Sequence, residues 1–477
     1  MRVSEHYGLG RHQPSLEFVD VDVSGDTRVF VDPRALRHVE SDWARECVSL
    51  LQNFFDTVLD AIRTGRNDRA RDLLASLSEP NETRLGMSCG RAQGRGMGQA
   101  LANDVWVSIS KSRAVKSGLI EDLEDTVLFV EGIGFDIVSD VTTNIIRGQL
   151  IKFTHDAANY YGIPLVDDVA SGRMWDRHTR RWRQEFVDLP VAAGRPLLLV
   201  PKSIVRRNQT FDPGEYYNHF VLPQLQADEL EAGSALVEVL RRGALRVTKK
   251  SVKEKYGQGK RVNLDTTLKH PSLLDQYRRS KGTLRQPPGH EEIAELTGSE
   301  TPNWDELLNA VREVPPGPDG ASAYHLAVEA LLTALLYPAL DQPQREFAIH
   351  GGRKRIDITY TNVATAGFFD WVHRVQGAPA PNVFVECKNY GREVANPEID
   401  QLAGRFSPLR GRVGLLLYRG YGDKARLVAR CRDTALDDRG FVIALDDDDL
   451  GSLVEDRKAS HGSVAFRHLR QRFDELV

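Results

Sequence analysis

Two acidic residues and a lysine in the C-terminal third, Asp357, Glu386 and Lys388, are the residues whose types and spacing could do chemistry. In Asn382-Val383-Phe384-Val385-Glu386-Cys387-Lys388, Val383, Val385 and Cys387 alternate with Phe384, Glu386 and Lys388. A period of two reads as a strand and puts Glu386 and Lys388 side by side on one face. Arg355-Ile356-Asp357-Ile358-Thr359-Tyr360 reads as a second strand. If the two pair, Asp357 reaches the same point. Two carboxylates are hard oxygen ligands for a divalent cation, and a lysine beside them can orient an attacking water or balance charge on a phosphate. That is the equipment for phosphodiester hydrolysis. Mg2+, or Mn2+, is the expected cofactor, held by Asp357, Glu386 and the main-chain carbonyl of Cys387, with Lys388 as a non-ligand. An acid two residues before a lysine occurs at only one other place, Asp456 and Lys458, in a polar tail. The bland alternative is a strand edge whose charges keep it soluble.

The elements that must position these residues can be read around them. Residues 320–332 predict a helix carrying His325 and Glu329, and 344–349 a strand starting beside Glu346. Gly351-Gly352 turns into the Asp357 strand, and 397–404 form a helix with Gln401. Val413 to Tyr418 and Phe441 to Leu445 are apolar runs of the kind that make buried strands. Gln401 could orient the site or a phosphate; His325 and Glu329, one helical turn apart, read more simply as a surface pair.

These residues in this order resemble the PD-(D/E)xK nuclease superfamily, the restriction-endonuclease-like fold, over about the last third of the chain. Ile356 stands where the family's name has proline. The resemblance implies an α/β fold with a C-terminal αβββαβ core around a central mixed sheet. It also implies that the opening helix can supply one further catalytic acid, here Glu329, to steer a second metal or the water. DNA, double-stranded by preference, is the implied substrate, since restriction enzymes and Holliday-junction resolvases act on it. A role in bacterial restriction or phage defence follows from the same resemblance. The rival readings are a catalytically silent DNA-binding or regulatory subunit, and a repair nuclease acting on branched or damaged DNA. Double-strand cleavage commonly wants two sites, so a homodimer is expected, although no heptad pattern supports one.

At 477 residues, 41% of them hydrophobic and 27% charged, the chain has room for two or three domains. Proline-glycine clusters at 286–289 and 315–320 mark breaks. The expected division is a separate mixed α/β domain over 1–225, a basic helical connector over 226–315 and the nuclease-like domain over 316–477. No stretch has the pattern of a signal peptide or the length of a membrane span, so a cytoplasmic protein with no membrane partner is expected. The four cysteines are widely spaced, without zinc spacing, and fit a reduced compartment. The net charge of -4 does not advertise a nucleic-acid binder. Between Arg241 and Arg285, however, fourteen Lys and Arg face three acids. Arg241, Arg242, Lys249, Lys250, Lys253, Lys255, Lys260 and Arg261 are the candidates for tracking a phosphate backbone, against the alternative of a solvated linker.

In the N-terminal region, 16–23 alternates as a strand with 28–33 as its partner, and Ser41 caps a long amphipathic helix. Further helices are expected at 67–77, 98–115 and 138–161, with strands at 127–131 and 196–200. The loop with Arg91, Gly94, Arg95 and Gly96 could cradle a phosphate. It lacks the Gly-Lys-Ser/Thr ending of a P-loop, so nucleotide hydrolysis is not supported. Asp136, Asp140 and Lys202 give a faint second echo of an acid-and-lysine layout.

Overall fold

The computed structural model describes residues 1–39, 41–86, 105–110, 112–117, 119–207, 210–240, 244–281, 287–349, 354–460 and 463–477, with the backbone alone at 345–349 and 354–355. The phosphate-loop candidates Arg91, Gly94, Arg95 and Gly96, the pair Arg241 and Arg242, the Gly351-Gly352 turn and the side chain of Glu346 lie outside the described residues.

The N-terminal region is built on helix α1 (Asp42–Arg63). Ser41 accepts a hydrogen bond from the Ala44 N–H, satisfying one of the amides that a helix start leaves free. Leu51, Phe54, Phe55, Val58 and Ile62 recur at helical spacing and are buried. Helices α2 (Phe135–Ile145) and α3 (Arg147–Tyr161) pack against α1, and the Trp43 indole N–H donates to the Gln149 carbonyl at 2.9 Å.

Several expected strands are absent or shortened here. Residues 16–21 are all buried, Glu17 and Asp20 included, so the alternation of apolar and acidic residues does not mark an exposed face. Scattered main-chain bonds, Val19 N–H to the Val200 carbonyl at 2.9 Å and Lys202 N–H to the Glu17 carbonyl at 2.8 Å, stand where a continuous ladder was expected, and side chains add to them: Asp20 accepts from the Ser4 N–H at 2.8 Å, and Gln13 donates to the Phe18 carbonyl at 2.8 Å. The expected partner is reduced to Phe30–Val31, which pairs with Val205–Arg206 instead. Residues 125–129 form a helix with every residue buried, so the strand expected at 127–131 is absent. A short apolar run carries no period to tell the two apart. Of the strand expected at 196–200 only Pro196 is in one, the two-residue Arg195–Pro196.

The C-terminal region runs α4 (Trp304–Arg312), α5 (Ala321–Leu336), β1 (Leu340–Ile349), β2 (Lys354–Asn362), β3 (Asn382–Lys388), α6 (Asn396–Ala403), β4 (Val413–Tyr418), α7 (Lys424–Leu436), β5 (Phe441–Leu445) and α8 (Asp447–Ala459). It is a mixed α/β region around one five-stranded mixed sheet of order β1-β2-β3-β4-β5. β1-β2 and β2-β3 pair antiparallel; β3-β4 and β4-β5 pair parallel. Parallel neighbours need crossovers, which α6 and α7 supply. β4 is buried at every residue, as its unbroken Val-Gly-Leu-Leu-Leu-Tyr predicts for a strand covered on both faces. Gly414 in β4 lets α6 approach: a Cβ there would lie 3.0 Å from the Leu402 side chain. Close seating of α6 matters because it carries Gln401.

Two large apolar cores, beside a small cluster of Ile151, Met174, Leu189 and Leu198, divide the described residues, and the 226–315 segment is shared between the two large ones rather than standing apart as a connector. Val247, Val252, Leu264, Leu273, Leu274 and Tyr277 belong to the first core, whereas Leu308 and Val311 belong to the second. The two cores meet along α5. Arg11 forms a two-pronged ion pair with Glu329, the Ser15 hydroxyl donates to the Ala330 carbonyl at 3.0 Å, and His290 bonds the Ala334 carbonyl at 2.8 Å. Lys202, fully buried, donates to the Pro14 carbonyl at 3.1 Å and lies 4.0 Å from the centre of the Tyr337 ring. Its partners are therefore at this junction. Asp140 instead feels Glu79, Asp136 and Asp26, so Asp136, Asp140 and Lys202 do not form a second acid-and-lysine site.

Burial first, and then those three carboxylates, push Asp140 up to about 8. A carboxyl raised in the folded state contributes stability that is complete below its unfolded pKa and is lost as pH rises through the folded value. The melting temperature should therefore fall progressively from about pH 4 to about pH 8 and level off above, and Asp140→Asn should flatten much of that fall. Melting curves of both proteins across this range test it; parallel curves would refute the assignment to Asp140.

Candidate active site

The candidate residues gather where the end of β3 projects past β2. Pairing between β2 and β3 runs from Thr361 opposite Asn382 to Ile358 opposite Val385 and stops there. One residue further, the Asp357 carboxylate accepts the Cys387 N–H at 2.9 Å, so a side chain takes over from the main-chain ladder. This draws Asp357 to the Glu386-Cys387-Lys388 turn of chain. Within β3 the period of two holds: the Lys388 ammonium donates to Glu386 Oε1 at 2.7 Å. The structure thus brings Asp357, Glu386 and Lys388 together, as their spacing predicts.

Gln401 joins them from α6, its Oε1 accepting from Lys388 at 3.2 Å. Arg405, just beyond the end of α6, pairs with Glu386 Oε2. Glu386 is 1% exposed and Lys388 9%, so this network is largely removed from water. Burial raises the Glu386 carboxyl, the charge of Asp357 raises it further, and Lys388 and Arg405 act against both, leaving it above the usual carboxylate range. Burial alone would lower Lys388; the contact with Glu386, helped by Asp357, more than offsets this and leaves its pKa raised. Lys388 is therefore a cation at neutral pH and cannot serve as a proton acceptor there.

Glu329 is not part of this group. Its carboxylate is 1% exposed and is gripped by Arg11, with the Thr333 hydroxyl donating at 3.4 Å. An acid committed to an arginine in the first core cannot steer water or a second metal, so the structure corrects the catalytic role expected for it. It is also no surface charge. His325, one turn earlier on α5, does reach the site: its Nε2 is 3.2 Å from the Cys387 carbonyl oxygen and 3.7 Å from Asp357 Oδ2. The Cys387 Sγ is within 4.8 Å of ligand atoms of both His325 and Asp357. Cys387 is otherwise a core residue, and burial holds its thiol well above the usual range.

Sequence reasoning noticed His325 but gave it to Glu329 as a partner, and it missed Arg405 altogether. A signal for Arg405 was present: it follows Gln401 by four residues, the spacing that puts two side chains on one helical face.

The basic segment separates into two groups. Lys249, Lys250 and Lys253 are exposed along the helix Lys249–Tyr256, and Arg261 is exposed at the start of the next. Lys255 instead pairs with Glu229 at 2.6 Å, and the Lys260 ammonium donates to the Val130 and Ile133 carbonyls. Lys260 is thereby withdrawn from the phosphate-contact set, whereas Lys255, its side chain 45% exposed, stays at the surface beside Glu229. Acids distant in sequence also answer Arg278 and Lys281, which meet Asp125 and Glu215.

Among the described residues no helix is long and apolar enough to cross a membrane. Residues 8–212 match a family model described as a domain of unknown function, DUF8370. The match contains Arg11 and ends well before the five-stranded sheet, so the Asp357 cluster lies outside it. No curated protein and no solved structure matches the chain.

Proposed function

We propose that the chain is a divalent-metal-dependent nuclease of the PD-(D/E)xK type, with a restriction-endonuclease-like core formed by α5, β1, β2, β3, α6 and β4. The observation that carries this reading is the convergence of Asp357, Glu386 and Lys388 at one end of β3, with Lys388 2.7 Å from Glu386. The donor set fits a hard cation. Asp357 and the Cys387 carbonyl offer oxygen, and Asp357 and Glu386 lie close enough that the charge of the first raises the pKa of the second. Bound Mg2+ or Mn2+ would supply Lewis-acid stabilisation of the phosphate under attack. Lys388, fixed by Glu386 and Gln401, places a positive charge where negative charge develops on the phosphoryl oxygens. Gln401 is a positioning residue for that ammonium, and Arg405 holds the far side of Glu386.

Exposed Lys249, Lys250, Lys253 and Arg261 support a polyanionic partner, for which double-stranded DNA is the preferred candidate. A homodimer that cuts both strands and a role in restriction or phage defence are extensions of the same reading. A second reading draws on a specific observation: Lys388 and Arg405 together occupy both oxygens of Glu386, so the two carboxylates of the site are matched by two cations without any metal. That balance suits a silent nucleic-acid-binding module.

One experiment separates them. The full chain and its Asp357→Asn variant are incubated with supercoiled plasmid, linear duplex, single-stranded DNA and RNA, in Mg2+, Mn2+ or EDTA. The nuclease reading expects cleavage with metal that disappears in EDTA and in the variant. Binding that weakens steeply with salt, without cleavage under any condition, would favour the silent module. Neither binding nor cleavage would remove nucleic acid as the partner.

A further inference from the structure

Resting on the metal-dependent reading above, we propose that His325 is itself a ligand of the cation. It would complete with Asp357 and the Cys387 carbonyl a mixed nitrogen and oxygen donor set that selects Mn2+ over Mg2+. The geometry comes first. His325 Nε2 stands 3.2 Å from the Cys387 carbonyl oxygen and 3.7 Å from Asp357 Oδ2. Ligands at about 2.1 Å from an octahedral cation sit roughly 3 Å from one another when adjacent. The imidazole nitrogen thus stands from each of the two oxygens about as neighbouring ligands of one ion stand. The His325 side chain is 39% exposed, which leaves the group open to an entering ion.

The chemistry then discriminates. Mg2+ favours oxygen throughout and gives up water reluctantly, whereas imidazole nitrogen suits transition metals, with affinity rising from Mn2+ along the first row. Cys387 offers its carbonyl rather than its sulfur, since its side chain belongs to the apolar core. Glu386 is the least available carboxylate, both its oxygens being engaged by Lys388 and Arg405. A nitrogen donor from α5 supplies what Glu386 withholds. The helix is well fixed for this purpose: four residues on, Glu329 is gripped by Arg11, and Ala330 accepts from Ser15.

A plain hydrogen bond from His325 to the Cys387 carbonyl is the competing explanation, and glutamine separates the two. Its amide N–H can still donate to a carbonyl, but it offers no imidazole nitrogen. Binding of Mn2+ and of Mg2+ is measured by calorimetry, with loss of the free Mn2+ resonance as a second readout, on the wild type, His325→Ala, His325→Gln and Asp357→Asn. The wild type should bind Mn2+ at least about tenfold more tightly than Mg2+. Both His325 variants should lose most of that preference while keeping Mg2+ affinity within about threefold, and Asp357→Asn should weaken both ions. An unchanged ratio in His325→Ala, or its restoration in His325→Gln, would overturn the ligand role and leave the metal site standing. If the wild type binds neither ion, the metal-dependent reading falls with it. Melting curves of each variant confirm that the comparison is made on folded protein.

Discussion

Lys388→Ala should lower the single-turnover rate of cleavage by on the order of a thousandfold while changing nucleic-acid affinity by less than about threefold. The asymmetry follows from where the ammonium sits. It is 9% exposed and spends its hydrogen bonds on Glu386 and Gln401, so it adds little to the surface that a duplex meets first. Its worth rises when charge builds on the phosphoryl oxygens, in surroundings where water cannot screen the interaction. An interaction made mainly in the transition state lowers the rate and leaves binding alone. Because Arg405 still covers Glu386 in the variant, the remaining carboxylate is not stranded, and the fold should hold. Single-turnover rates and equilibrium binding, measured on the same duplex with the same metal, test this. Equal losses in both would mean that Lys388 contributes ordinary binding, and the role assigned to it would have to be given up. Lys388→Arg is the informative companion, since the larger planar group keeps the charge but cannot reproduce the contact with Gln401 in the same space.

Much of this site was legible because its signals are local. Alternation within 383–388 places Glu386 beside Lys388 whatever the rest of the chain does, and apolar runs bounded by breakers mark β4 and β5 with the limits they have. The Gly-rich and Pro-rich segments around 315–320 announce α5 in the same way. What stayed hidden depends on contacts far apart in sequence. Glu329 looks like any helix-surface acid until Arg11, 318 residues away, is brought against it. Lys260 looks like a member of a phosphate-binding stretch until two carbonyls of the first core claim it. In the N-terminal region the failure has a different origin. Residues 16–21 are buried at every position, and their main chain makes scattered pairings, Val19 with Val200 and Lys202 with Glu17, in place of the expected ladder with 28–33. His325 falls between these cases: its helix and its face were readable, but the neighbour that gives it meaning is a carbonyl, which no side-chain pattern records.

Arg11→Ala should destabilise the protein by about 3–5 kcal/mol, the largest effect expected of a single surface-to-core truncation here. The Arg11 and Glu329 side chains are 8% and 1% exposed, so removing the guanidinium leaves a carboxylate buried without its counter-charge. Breaking such a pair costs far more than the pair contributes, because the orphaned partner has lost its water as well. For the same reason, Arg11→Met combined with Glu329→Leu should recover most of the loss, the two apolar side chains filling similar volume without any charge to desolvate. Chemical denaturation of the two single variants and the double variant measures this directly, and additive losses in the double variant would show that the two residues are not coupled. The double variant also asks what Glu329 is for. If its carboxylate serves only to join the DUF8370-like region to α5, metal affinity should survive its removal once stability is restored. Loss of affinity in a folded double variant would instead show that the pair shapes the cation site through α5, the helix that carries His325.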